Sequence, residues 1–152
     1  MDDKFYKKRI KEYKENRENV LRGNINCIPS PFVRFRSEFP GIEQGKYYLV
    51  SGNEKSGKSQ ISDFLFMLHP LMYAFNNPDK LKLKILYFSL EMSKAEKYDQ
   101  MTCFWLYMHS HGKIRIDTKI LNSLNEESPL SSEVLELLES QEYSRFFDFM
   151  ED

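Results

Sequence analysis

Apolar residues recur along this 152-residue chain with two different spacings, and the switches between them mark out its elements. From Lys4 to Arg22 they follow a helical period, with Tyr6, Ile10, Tyr13 and Leu21 on one face. The stripe is narrow, so this helix is expected to lie on another surface rather than form a core. "GNINCIPSPFVRFRSEFPG" follows, with Pro29, Pro31 and Pro40 and no helical period, and reads as an extended connection. "KYYLVS", Lys46 to Ser51, is strand-like. A helix is expected from about Lys58, burying Ile61, Phe64, Leu65, Leu68 and Met72, with Pro70 kinking or ending it near His69. "NNPDK" is a turn. "KILYFSL", Lys84 to Leu90, is the second expected strand, and its unbroken apolar stretch from Ile85 to Phe88 predicts burial on both faces, as in a parallel sheet.

Beyond it, "SKAE", Ser93 to Glu96, has the form of a capping box. The helix it opens should turn Tyr98, Met101, Trp105 and Met108 inward and stop around Gly112. A short helix near Lys119 to Leu124 and a longer one from Ser132 to about Met150 complete the pattern. No internal repeat or low-complexity tract interrupts it. Strand, glycine-rich loop, helix and strand make a βαβ unit. The expected class is therefore α/β, with a parallel sheet flanked by helices, and the sheet is incomplete at two strands. Three regions are expected: a basic amino-terminal or linker helix over 1–24, an extended connection over 25–45, and a partial domain over 46–152 that holds the βαβ unit.

Charge and composition narrow the partners. The net charge of -1 gives no global pull toward nucleic acid or membrane. Cys27 and Cys103 are too few for a disulfide framework, which suits a reducing cytosol. The amino terminus is charged from Asp2 with no apolar stretch behind it, and "FLFMLHPLMYAF" is too short to span a bilayer. A soluble, cytoplasmic protein with no membrane partner is expected.

The loop between the first strand and its helix carries the chemistry. "GNEKSGKSQ" comprises Gly52, Asn53, Glu54, Lys55, Ser56, Gly57, Lys58, Ser59 and Gln60, and spells the P-loop pattern G-x-x-x-x-G-K-S. Glycines at its first and sixth positions let the backbone curl so that N–H groups converge on phosphate oxygens. The following helix adds the positive end of its dipole. Lys58 is placed to reach the β- and γ-phosphates of ATP, and the Ser59 hydroxyl to complete a Mg²⁺ shell. Hydrolysis also needs a carboxylate near the γ-phosphate, and Glu91, just after the second strand, is the candidate.

"FSLEMS", Phe88 to Ser93, following a P-loop, resembles the first two motifs of DnaB-family replicative helicases, hexameric motors with a RecA-like fold. "FPGIEQGKYYLVSGNEKSGKS" is similar to that family's lead-in. The resemblance covers roughly Phe32 to Ser93 and continues more weakly to Asp152. It implies an ATP-dependent helicase motor that unwinds duplex DNA by translocating on single-stranded DNA, and a hexameric ring. It also implies that Lys58 and Ser59 are the phosphate and metal residues, that Glu91 is the catalytic glutamate, and that Lys4 to Arg22 matches the linker helix docking on a neighbouring subunit. The family's later aspartate strand, polar sensor, DNA loops and arginine finger have no counterpart. "KIRID" ends in Asp117 but alternates in polarity, and Asp148 of "RFFDF" sits in a helical pattern. An amino-terminal fragment or truncated product of such a motor is therefore expected.

Weaker candidates are His109 and His111, which lack the partners of a metal site, and Trp105, a core residue before it is a base-stacking platform. The basic helix interleaves Asp2, Asp3, Glu12, Glu15 and Glu18, which favours a solvated face or subunit contact over DNA. Two rival functions remain open. One is a RecA-like recombination or annealing ATPase; the other is a non-catalytic interaction module that binds nucleotide.

Overall fold

A computed structural model describes residues 3–124 and 128–151 of the chain. They divide into two compact units, Met1–Leu83 and Lys84–Asp152. Among the described residues the fold is mainly helical, and the one sheet has two short antiparallel strands. The expected α/β architecture, a RecA-like parallel sheet flanked by helices, is therefore not what forms. Lys46–Ser51 and Lys84–Leu90 form no regular element and pair as strands with nothing among the described residues. Their β-branched and aromatic side chains fit a pleated surface, yet strand propensity becomes a strand only beside a partner edge.

In the first unit, helix α1 spans Asp3–Leu21, as its period predicts. It closes on Gly23, whose φ of 76° lets the Asn24 N–H reach the Asn19 carbonyl at 2.9 Å. The sheet forms where an extended connection was expected. Strand β1, Cys27–Pro29, pairs with β2, Gly41–Glu43, with Ile28 opposite Ile42. Gly41 is required there, because a Cβ would collide with the Ile28 carbonyl.

A continuous helical course then runs from Lys58 to Asn76. It is α-helical over Lys58–Asp63 (α2), widens to a π-helix over Phe64–Leu68, and resumes as α3 over His69–Asn76. Pro70 does not end the course; it lies in the first turn of α3, directly after the widened π segment. The π register, with the His69 N–H on the Phe64 carbonyl, precedes it. Asp63, Met67, Pro70, Leu71, Met72 and Ala74 are buried; of the expected face Met72 is among them, Phe64, Leu65 and Leu68 are half-buried, and Ile61 is exposed. A face meant for a parallel sheet has none to cover it. The course is tied to β1 by His69, whose Nε2–H donates to the Pro29 carbonyl at 2.7 Å.

In the second unit, α4 spans Lys94–His109 and begins with the expected capping box: Ser93 Oγ accepts from the Glu96 N–H, and the Glu96 carboxylate accepts from the Ser93 N–H at 2.7 Å. Helix α5 is Thr118–Leu121, capped by Asp117. The expected long helix from Ser132 is two, α6 over Ser132–Leu138 and α7 over Gln141–Glu151. Ser140 breaks it, since its hydroxyl accepts from the Tyr143 N–H and starts a new turn. The core is aromatic. Trp105 stacks on Phe146, meets the edge of Tyr143, and lies 4.6 Å from the His109 ring. Thr102 Oγ1 donates to the Tyr98 carbonyl and accepts from the Tyr143 hydroxyl at 2.8 Å, tying α4 to α7.

Candidate functional site

The loop Gly52–Gln60 is held from both ends. On its entry side Tyr48 is pinned to β2: its hydroxyl accepts from the Glu43 N–H at 2.9 Å and donates to the Gly41 carbonyl. Its ring packs edge-on to Phe39 and against Phe66 of the π segment. Read from sequence as one more strand residue, Tyr48 is instead the anchor that aims the chain into the loop. On the exit side the loop turns directly into α2 at Lys58.

Between these anchors the backbone twice enters the left-handed region, at Lys55 with φ 59° and at Gly57 with φ 82°. A lysine there is strained, and a glycine is not. Gly57 is the N-cap and has no side chain to offer the helix. The N–H groups of Lys58, Ser59 and Gln60 therefore precede the first intrahelical bond, Ile61 N–H to Gly57 O at 3.0 Å, and no side chain caps them. Gly52 makes room on the other side: a Cβ would come 2.8 Å from Ser56 Oγ and 3.5 Å from Lys58 Cγ. Lys58 crosses the loop, its Nζ donating to the Asn53 carbonyl at 2.6 Å, and the Ser56 N–H reaches the same oxygen.

This donor set fits a triphosphate with its metal. Uncapped N–H groups at a helix start, an ammonium across the loop and left-handed turns beside it are the physical parts of an anion cradle. The Ser59 hydroxyl, exposed in the first helical turn, is a hard oxygen suited to Mg²⁺. Asn53, Glu54, Lys55 and Ser56 form the exposed rim.

Glu91 is exposed, in a bend over Leu90–Met92 of the second unit, while the loop belongs to the first. The parallel strand pair meant to set it beside Lys58 is not formed. The other candidates resolve into structure. Trp105 is 2% exposed and is core. His109 stacks on it with Nδ1 3.6 Å from Glu142, and His111 adopts a left-handed turn. Asp117 caps α5, and Asp148 lies within α7. No group of three or more His, Cys, Asp or Glu side chains is arranged for a metal among the described residues.

The second unit has an open groove of about 540 Å³ lined by residues that include Cys103, Phe104, Tyr107, Arg115 and Asp117. Its polar groups are already engaged: Arg115 donates to the Gly112 carbonyl, and Asp117 holds the start of α5. Burial pushes the Cys103 thiol up to about 11, so it is no nucleophile at neutral pH.

No family model, no curated protein and no solved structure matches this chain. No helix among the described residues is long and apolar enough to cross a membrane.

Proposed function

We propose that this chain binds ATP with Mg²⁺ in the loop Gly52–Gln60. The observation that carries the reading is the helix start at Lys58, with its uncapped N–H groups behind a left-handed Gly57 and the Lys58 ammonium laid across the loop. In this reading the backbone and Lys58 hold the phosphates, and Ser59 holds the metal that the phosphates share. When bound, Mg²⁺ would neutralise phosphate charge.

The likeness of "FSLEMS" to a DnaB-type motif supports a fuller proposal, a helicase motor in which Glu91 orients the attacking water and single-stranded DNA is the track. The missing parallel pairing favours the second reading, a nucleotide-binding module without turnover. Thermal unfolding with and without ATP–Mg²⁺ tests the shared core of both. At about a hundred times the dissociation constant, ligand should add roughly 2.7 kcal/mol of stability. No shift at saturating nucleotide would reject both readings together. Steady-state hydrolysis, with and without single-stranded DNA, then separates the motor from the module.

A further inference from the structure

The stripe of α1, expected to lie on another surface, stays exposed in the folded chain. Tyr6, Ile10 and Tyr13 recur at spacings of four and three, and Val20 continues their arc. Tyr6, Tyr13, Val20 and the neighbouring Phe5 are each more than half exposed. Cations border the arc, Arg9 on one side and Lys7 and Lys14 on the other, while Lys4, Lys8 and Lys11 fill the opposite face. The glutamates of α1 are engaged within the helix: Glu12 with Arg9, Glu15 with Lys11 and Glu18 with Arg22. Lys8, Lys14 and Arg17 have no ion pair among the described residues. From Lys4 to Lys14 the only acid is Glu12, a concentration of positive charge that the chain's net charge of -1 conceals.

We propose that α1 lies flat on an anionic lipid surface, its rings at headgroup depth and its bordering cations on the lipid phosphates and carboxylates. A helix with aromatic residues on one arc and lysines around it has the composition of an interfacial helix, which lies on a bilayer without spanning it. Tyrosine suits that depth, since its ring is apolar and its tip is polar. Total charge and apolar length, on which no membrane partner was expected, do not register one basic helix. Other occupants match the surface less well. Arg17 falls within the arc, so a protein packed there would bury a charge that needs a matched acid, whereas a headgroup layer offers it phosphate. A second α1 would set cationic borders against each other. A nucleic-acid duplex would meet the Lys4, Lys8 and Lys11 face and leave the rings in water. The proposal does not rest on nucleotide binding.

The test is co-sedimentation of the full chain with phosphatidylcholine vesicles made with and without phosphatidylserine. The wild type should bind the mixed vesicles, come off them as salt rises, and bind pure phosphatidylcholine far more weakly. Lys14→Gln combined with Arg17→Gln, both at exposed positions, should weaken binding about tenfold or more. Lys80→Gln combined with Lys82→Gln removes the same charge at exposed positions outside α1 and should change little. Tyr6→Ser should weaken binding about fivefold with no change of charge. A wild type that ignores the mixed vesicles would overturn the proposal. So would equal binding to pure phosphatidylcholine, a control pair that weakens binding as much as the α1 pair, or a Tyr6→Ser variant that binds like wild type. Self-association, or binding to a single-stranded oligonucleotide, that the α1 pair abolishes while vesicles are not bound would give the helix to a second copy or to nucleic acid instead.

Discussion

The Lys58 ammonium donates to the backbone carbonyl of Asn53 at 2.6 Å, so the residue meant for phosphate closes its own loop. One charge-assisted bond of that length holds the curl of the loop. An ammonium has three donors, so Lys58 can keep this bond while offering others outward. The loop is thus preorganised, and its helix start is left uncapped.

Glycine at the N-cap is the backbone half of that arrangement. Gly57→Ala should cost about 1 kcal/mol of stability, because alanine resists the left-handed region. It should also remove most of the stabilisation by ATP–Mg²⁺. Gly23→Ala is the control: Gly23 has φ 76° and open space around it, far along the chain at the end of α1. It should cost a similar amount and leave the ATP response intact. Equal ATP responses in the two variants would show that the loop geometry is irrelevant to binding.

Turnover is a separate matter. The chain should hydrolyse ATP at barely detectable rates, with no stimulation by single-stranded DNA, since the parallel sheet expected to bring Glu91 to the phosphates is not formed. If turnover is measurable, Glu91→Gln should cut it about 10²-fold or more while leaving nucleotide affinity unchanged. Steady-state phosphate release on both proteins decides this, and equal rates would make Glu91 a plain surface residue.

The helical skeleton was legible in the sequence because its signals are local. The Ser93–Glu96 box needs only four residues, and both of its hydrogen bonds form. The α1 period and the helix start at Lys58 are likewise set by nearby residues. The strands were not legible, because pairing is a property of two segments. "KYYLVS" and "KILYFSL" carry strand composition and find no partner strand among the described residues, whereas Cys27–Pro29 and Gly41–Glu43 pair across a proline-rich stretch that has no strand period. The left-handed turn at Gly57 and the helix start behind it were legible from the glycine spacing. The anchoring of Tyr48 on Gly41 and Glu43 was not, since no periodicity records a hydroxyl bridging to a strand.

The capping box predicts an acid-sensitive second unit. The Ser93 N–H and hydroxyl hold the Glu96 carboxyl below its usual range, and Tyr98 and Lys94 do the same for Glu151. A depressed carboxyl stabilises the fold fully above its unfolded pKa of 4.5 and loses that contribution as pH falls through the lower native value. Ser93→Ala should cost about 1 kcal/mol near neutral pH. Glu96→Gln should flatten the fall in stability between about pH 5 and pH 3. Urea unfolding across that range measures both, and an unchanged slope in Glu96→Gln would contradict the assignment.

The aromatic seam between α4 and α7 should dominate the stability of the second unit. Phe146 has no exposure and stacks on Trp105, the chain's sole tryptophan. Phe146→Ala should cost roughly 3–5 kcal/mol. Phe147→Ala, at a 39% exposed neighbour, should cost clearly less. Tryptophan fluorescence during urea unfolding reads both, and the reverse order would misplace the core.

The most direct measurement is a calorimetric titration of the intact chain with ATP in the presence of Mg²⁺, run on the wild type, Lys58→Ala and Ser59→Ala. The wild type should bind one nucleotide. Lys58→Ala should abolish detectable binding while staying folded, with only the small fall in unfolding temperature that loss of its bond to the Asn53 carbonyl brings. Ser59→Ala should weaken binding only when Mg²⁺ is present, since its hydroxyl acts through the metal. A Lys58→Ala variant that binds ATP as tightly as the wild type would contradict a phosphate-binding loop at Gly52–Gln60.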